Sequence, residues 1–333
     1  MKAIALLSGG LDSTLAARIM DDMGIGLIAF NTISPFCLCN HRSSTGCFHG
    51  ASAAAKLLGI KFVNMDVGKE FIEIVRNPEH GYGSNMNPCL DCRILLFRKA
   101  KEMMEKEGAS FIITGEVVGQ RPMSQRRAAM KLIDREAGLE GLVLRPLCAK
   151  VMEETIPEKQ GWVSREKMLS ISGRGRKEQF TLAQDLGIKD YPCPSGGCLL
   201  TDPGYARKVK DLLDHGELTL ENCRLLRLGR HFRLGPGFKL IVGRDQAENE
   251  RLPEYAKEGD LFFEPSETAA GAFALGRGAA DEKILETCFS ILARYCDGPE
   301  GQPRAISLRG SGLEPVSREA MPLSEGELSR CRL

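Results

Sequence analysis

The chain has 333 residues, 43% of them hydrophobic and 27% charged, with a formal net charge of +1. That composition excludes a disordered or fibrous chain and leaves room for two or three domains of about 100–200 residues each. No apolar run approaches the roughly 20 residues that a membrane-spanning helix requires. The start of the chain runs directly into a glycine motif and lacks a signal-peptide cleavage pattern, so a cytoplasmic protein is expected. In that compartment twelve cysteines would stay reduced and serve metal binding or catalysis more than disulfides.

In chain order, an apolar run from Lys2 to Leu7 reads as a strand, Ser8-Gly9-Gly10-Leu11-Asp12-Ser13 as a tight loop, and Thr14–Met23 as a helix. Gly26–Asn31, Lys61–Asp66 and Ser110–Thr114 follow as strands, with helices predicted over Ala51–Leu58 and Cys92–Glu107. Strands alternating with helices predict an α/β domain over 1–148, a parallel sheet with helices on both faces. From Arg145 prolines interrupt short helical stretches at Arg165–Ile171 and Arg176–Leu186, giving an irregular extension over 149–215. A smaller α+β domain is predicted over 216–300, with strands at Arg224–Leu228, Lys239–Val242 and Asp260–Glu264 and a helix at Asp281–Tyr295. The last segment, 301–333, reads as a strand and a weakly specified tail.

The glycine loop carries the first chemistry. Two adjacent glycines let the backbone approach an anion, and the first N–H groups of the following helix, with its dipole, hold that anion. Ser8 and Ser13 offer hydroxyl donors. Asp12 makes sense only with a divalent cation such as Mg²⁺ between it and a phosphate. No GxxxxGK[ST] or GxGxxG pattern is present, which argues against a P-loop NTPase or a dinucleotide enzyme.

This loop resembles the SGGxDS signature of the PP-loop ATP pyrophosphatases, a Rossmann-like family that activates a substrate oxygen by adenylation. The resemblance implies ATP and Mg²⁺ at Ser8, Gly9, Gly10, Asp12 and Ser13, with Asn31, Thr114 and Gly115 completing the nucleotide site. It does not by itself choose between thiolases, amidating ligases and synthetases.

The cysteines choose a branch. Asn87-Pro88-Cys89-Leu90-Asp91-Cys92 opens the helix that runs to Glu107. At a helix N-terminus the dipole is expected to lower a cysteine's pKa and favour the thiolate. A distal cysteine, Cys198, lies in Ser195-Gly-Gly-Cys198. With Thr114-Gly115, these elements resemble the tRNA 2-thiouridine synthetases. Thr114–Gln125 and Gly173-Arg-Gly-Arg-Lys-Glu-Gln179 are similar to a thiouridylase-like branch that carries a C-terminal module of the NFACT RNA-binding type. Where the 2-thiouridine enzymes read TGHY, this chain reads Thr114-Gly115-Glu116-Val117, so the resemblance does not identify the target base.

Two sulfur chemistries follow from the resemblance. In one, Cys198 carries a persulfide that Cys89 resolves. In the other, Cys89, Cys92 and Cys198 hold a [4Fe–4S] cluster by three irons; this version also employs Cys92. Asp12, Cys89 and Cys198 are the expected catalytic residues. A further group, Cys37, Cys39 and Cys47 with His41 and His49, has a density that suits Zn²⁺ but a spacing that matches no specific motif.

Between Arg121 and Lys177 there are 13 Lys/Arg against 7 Asp/Glu, a local excess of +6 in a nearly neutral chain. Gln120, Arg121, Ser124, Arg126, Arg127 and Lys131, with Arg174, Arg176 and Lys177, are candidate contacts to an RNA backbone. Arg227, Arg230, His231, Arg233, Lys239 and Arg244 with Phe232 and Phe238 suggest a second basic, aromatic surface. The expected partners are tRNA and a sulfur donor, either inorganic sulfide or a persulfide carrier protein, with no membrane and with a homodimer left open. Three functions stay in play: an ATP-dependent tRNA thiolase, a PP-loop enzyme that adenylates a small molecule, and a non-catalytic RNA-binding protein with a vestigial nucleotide pocket.

Overall fold

Five parallel strands, β1 (Lys2–Leu6), β2 (Gly26–Ile33), β3 (Lys61–Asp66), β4 (Phe111–Thr114) and β5 (Val143–Leu144), assemble in the order β3-β2-β1-β4-β5. Their alternation explains the two-sided core. Ala3, Ala5, Ala29, Phe111 and Ile113 bury one face of the sheet. Ile4, Leu6, Ile28, Phe30 and Ile112 bury the other, against Ile94, Phe97 and Met103. The helices are α1 (Leu11–Asp21), α2 (Cys47–Leu57), α3 (Gly68–Arg76), α4 (Cys89–Glu107) and α5 (Arg127–Glu136), then the short α6 (Ile156–Lys159) and α7 (Lys177–Asp185). The strand order reverses between β1 and β4, and in such sheets the ligand crevice lies outside the carboxyl ends of the strands at that point. Both the glycine loop and Thr114-Gly115 sit there.

The computed structural model describes residues 1–37, 47–188, 197–266, 270–310 and 313–333. The chain divides into two compact units, Met1–Asp202 and Pro203–Leu333. Among the described residues no helix is long and apolar enough to cross a membrane.

The second unit is built on a six-stranded antiparallel sheet in the order β11-β10-β8-β9-β7-β6. Its strands are β6 (Arg230–Gly235), β7 (Phe238–Val242), β8 (Leu261–Pro265), β9 (Ala274–Gly278), β10 (Arg304–Gly310) and β11 (Leu313–Ala320). Its helices are α8 (Pro203–Asp214), α9 (Leu220–Leu225), α10 (Gln246–Arg251), α11 (Glu282–Arg294) and α12 (Glu325–Cys331). α11 lays Phe289, Leu292 and Ala293 against Phe238, Leu240 and Phe263 of the sheet, forming the unit's core.

Three expectations are corrected. The helix over Arg165–Ile171 is a single 3-10 turn, Arg165–Lys167; beyond it Leu169 N and Ile171 N donate to Pro146 O and Leu147 O, an extended pairing that buries Met168 and Ile171. The strand over Arg224–Leu228 is instead the end of α9, which stops at Leu225, and the turn after it; Thr219 caps that helix by accepting a hydrogen bond from Asn222 N at 3.2 Å. The weakly specified tail holds β10 and β11, an antiparallel hairpin in register from Arg304↔Ala320 to Leu308↔Val316. Alternation of Arg304, Ile306 and Leu308 inward supplies the signal, which the glycines and prolines before it obscure.

Candidate active site

β1 delivers the chain to the glycine loop, and Gly10 is the N-cap of α1. Gly9 has φ +75°, and a Cβ there would lie 2.5 Å from the backbone of Gly50 and Ala51 in α2, so this position admits only glycine. Ser13 Oγ donates to Gly10 O at 2.9 Å and lies 3.2 Å from Ser8 Oγ, and Ser8 N donates to Ser13 Oγ at 3.3 Å. The two predicted hydroxyls therefore brace one another across the loop. From β4, Gly115 closes the same space: a Cβ there would lie 2.4 Å from the backbone of Asp12 and Ser13. Thr114 is buried at the end of β4. Asn31, at the end of β2, is buried and donates to Asn64 Oδ1 at 3.2 Å.

Asp12 is held by residues from two distant segments. Its Oδ2 accepts from Gln120 Nε2 at 2.9 Å and from Arg176 Nη2 at 2.8 Å, the latter across 164 residues of chain. Its Oδ1 is buried without a hydrogen-bond partner among the described residues. A buried carboxylate oxygen left over in an anion loop has the donor chemistry of a cation site. Arg176, read from the sequence as an RNA contact, is engaged at the loop instead.

The residue after Gly115 begins a buried ion network. Glu116 Oε1 accepts from Arg93 Nε and Nη2 at 3.1 and 2.5 Å, and Oε2 accepts from Arg145 Nε at 3.1 Å. Arg145 in turn donates to both oxygens of Asp134 at 2.7 and 2.8 Å. Burial drives Glu116 upward, but attraction to Arg93 and Arg145 outweighs it and holds the carboxyl below the usual glutamate range. Arg93 follows Cys92 in α4, so this network ties the glycine loop, through Gly115 and Glu116, to the cysteine pair.

Cys89 is the first residue of α4, with Cys92 one turn on. The segment before them is stitched to the distal cysteine: Met86 N donates to Leu200 O at 3.2 Å, and Asn85 Nδ2 to Thr201 O at 2.8 Å. Cys37 faces Cys198 in an isolated antiparallel bridge. Cys89, Cys92 and Cys198, together with Cys37, thus share one neighbourhood.

The expected lowering of the thiol pKa by the helix dipole is corrected for Cys92. Burial pushes its thiol up to about 12, and negative charge on Cys198 and Cys89 adds to the effect. Burial likewise pushes Cys198 up to about 11. Desolvation of a buried thiolate costs more than the half-charge at a helix terminus returns. Of the proposed zinc group, Cys39 and His41 lie outside the described residues, as does the Cys47 side chain; His49 is exposed on α2.

Asp91, between the two cysteines, is pinned by His80: Nδ1 lies 2.9 Å from Asp91 Oδ1, and Nε2 lies 3.3 Å from Glu136 Oε1. The hydrogen bond and charge of Asp91, with Glu136, raise the His80 pKa above 6.5 despite partial burial. A raised folded-state pKa contributes stability that is complete below the unfolded value and is lost as pH rises through the folded one. Between pH 6 and pH 9 the urea midpoint of the wild type should therefore fall further than that of His80→Gln. Parallel pH profiles for the two proteins would contradict the pairing.

The second basic surface is corrected in part. His231, Phe232, Phe238 and Lys239 are buried. Arg233 donates to Asp211 and Glu217, Lys239 Nζ lies 3.0 Å from Asp211, and Arg244 pairs with Glu248. Arg230 stacks over the Tyr295 ring at 4.7 Å. Arg233 and Lys239 neutralise the buried Asp211, which a charge count along the sequence does not reveal.

Comparison with known proteins follows the two units. Residues 1–158 match the family described as thiamine biosynthesis protein (ThiI). Residues 229–331 match the family described as the NFACT protein RNA binding domain. The chain is 34% identical over 317 residues to a tRNA-specific 2-thiouridylase MnmA of Acidothermus cellulolyticus, covering 91% of this chain and 82% of that protein. It is 32% identical over 126 residues to a probable tRNA sulfurtransferase of Methanosarcina mazei, covering 36% of this chain but only 29% of that relative's length. Among solved structures, a 4-thiouridine synthetase in complex with RNA and ATP aligns with TM-score 0.36 and 20% identity, over 67% of this chain and 53% of the other. The U34-tRNA thiolase NcsA of Methanococcus maripaludis, with its [4Fe–4S] cluster, aligns with TM-score 0.33 and 17% identity, over 68% of this chain and 72% of the other.

Proposed function

The chain belongs to the PP-loop family of tRNA sulfurtransferases and 2-thiouridylases, and from that premise we propose that it thiolates tRNA at the expense of ATP. The observation that carries the reading is the buried Oδ1 of Asp12, without a partner among the described residues, in a loop whose Gly9 position admits only glycine, joined through Glu116 and Arg93 to a cluster of thiols. Ser8, Gly9, Gly10 and Ser13, with the N-terminus of α1, would bind the pyrophosphate of ATP. Asp12 would hold Mg²⁺ against it, with Gln120 and Arg176 fixing the carboxylate. Asn31, Thr114 and Gly115 would line the nucleotide. A uridine carbonyl oxygen attacks the α-phosphorus, pyrophosphate leaves, and sulfur then displaces AMP at that carbon.

Cys89, Cys92 and Cys198 would hold a [4Fe–4S] cluster by three of its irons, and such a cluster supplies an exchangeable sulfide for the displacement. The donor set fits. Cys89, Cys92 and Cys198 are three thiols in one neighbourhood, the ligand type and number that such a cluster with one open iron takes. The persulfide reading is kept because Cys198 has a second cysteine, Cys37, directly opposite it. RNA binding is supported by the match of residues 229–331 to an RNA-binding domain and by Arg121, Arg126, Arg174 and Lys177, all exposed near the site.

Cells lacking the protein should lose one thionucleoside from total tRNA, read by nucleoside mass spectrometry. An unchanged thionucleoside profile would sink the reading. Iron and sulfide analysis of anaerobically purified protein then separates the two sulfur centres, and full activity in Cys92→Ser would exclude the cluster.

A further inference from the structure

Cys37 belongs by sequence to a crowded Cys/His loop, yet in the fold it forms a β-bridge with Cys198. The register of this bridge matters. Leu199 N donates to Phe36 O at 2.8 Å, so the flanking residues carry the hydrogen bond and the two cysteines occupy the narrow, non-hydrogen-bonded position. At such a position the Cα atoms lie about 4.5 Å apart and the side chains project to the same face. A disulfide accepts Cα separations of about 4.4–6.8 Å, so the backbone already meets the requirement without movement. The bridge is anchored on both sides. Phe36 is fully buried and packs edge-on against Phe71 at 5.4 Å. Cys198 O accepts from Thr201 Oγ1 at 2.6 Å, and Leu199 and Leu200 are buried.

We propose that Cys37 is the disulfide partner of Cys198 and the thiol that resolves a persulfide formed there. The inference rests on the persulfide form of the proposed function, in which Cys198 carries the transferred sulfur and ligates no cluster. In the step, the Cys37 thiolate attacks Cys198 Sγ. A Cys37–Cys198 disulfide forms, the bond from Cys198 Sγ to the outer sulfur breaks, and the electron pair leaves with that sulfur as hydrosulfide. The Cys37 sulfur is oxidised from the thiol to the disulfide level, the outer sulfur is reduced to hydrosulfide and Cys198 Sγ keeps its oxidation level, so no external oxidant is needed. The hydrosulfide released is the nucleophile for the adenylated carbon, and an external dithiol returns the pair to thiols. Cys89, assigned this role from family resemblance, starts a helix and lies close enough for its charge to act on Cys198, but shares no β-bridge with it among the described residues.

The test uses the full, metal-free chain loaded with sodium tetrasulfide, then desalted and mapped without reduction. Fragment ions must separate Cys37 from Cys39 and Cys198 from Cys193, which share proteolytic peptides. The proposal expects a Cys37–Cys198 link with one hydrosulfide released per link. In Cys37→Ser it expects hydrosulfide release to fall at least about tenfold while the persulfide persists on Cys198. Cys89→Ser should still form the link. A Cys198 linked to Cys89 or Cys39, or undiminished release in Cys37→Ser, overturns it. Failure of the parent reading looks different: the link and the hydrosulfide would appear, but no sulfur would enter tRNA in the presence of ATP.

Discussion

Asp12→Asn is expected to lower ATP-dependent pyrophosphate release by about 10²–10³-fold while shifting the melting temperature by only a few degrees. The two oxygens of Asp12 do different work. Oδ2 is occupied by Gln120 and Arg176, whereas Oδ1 is buried and unmatched. An asparagine keeps one acceptor and the shape but removes the charge that a divalent cation requires. Arg176 is part-exposed and finds water when its partner is neutralised, so the structural cost is that of an ordinary part-exposed pair. Steady-state pyrophosphate release with thermal melting of the same preparations reads both quantities. Retained turnover at unchanged stability would remove Asp12 from the metal site. A collapse of stability would make it a structural residue instead.

Glu116→Ala is the largest expected loss of stability, about 3–5 kcal/mol, which corresponds to roughly 10 °C in melting temperature for a unit of this size. Glu116 is only 3% exposed and serves two guanidinium groups, one of them 5% exposed. Removing it strands Arg93 without a carboxylate and leaves Arg145 with Asp134 alone. Because the folded-state pKa of Glu116 is depressed, its contribution is present above the unfolded value near 4.5 and is lost as pH falls through the folded value. At pH 7 the full effect should be visible, and the difference between wild type and variant should shrink in acid. A variant that melts within about 2 °C of the wild type at pH 7 would contradict the network's role.

Glu116 also shows where sequence reading stops. It was noticed only as a departure from TGHY. Its role requires Arg93, Arg145 and Asp134, which reach it from three other segments. The glycine loop was legible because its six residues are contiguous and each has a local reason to be there. Cys89 and Cys92 were legible for the same reason. Arg176 was visible as a positive charge, but its partner lies 164 residues away, and a charge without its partner reads as surface. The same blindness turned His231, Phe232, Phe238 and Lys239 into a binding face, although all four are interior. Cys37 was grouped with Cys39 and Cys47 because they are neighbours in sequence; the sheet-like bridge places it on Cys198. In the fold, apolar runs alternating with helical stretches were legible, and the parallel sheet followed from that order. The hairpin of β10 and β11 was missed because Gly, Pro and Ser around it outweighed its own alternation.

The most direct test of the central claim couples the two halves of the reaction in one vessel. Purified protein, ATP, Mg²⁺, a sulfur source and tRNA from cells lacking the protein are incubated under anaerobic conditions. Pyrophosphate and thionucleoside are then counted together. The account predicts tRNA-dependent pyrophosphate release with one sulfur incorporated per pyrophosphate, and loss of both with Asp12→Asn. Pyrophosphate release that ignores tRNA, with no thionucleoside formed, would contradict it and point to a small-molecule substrate for the same loop.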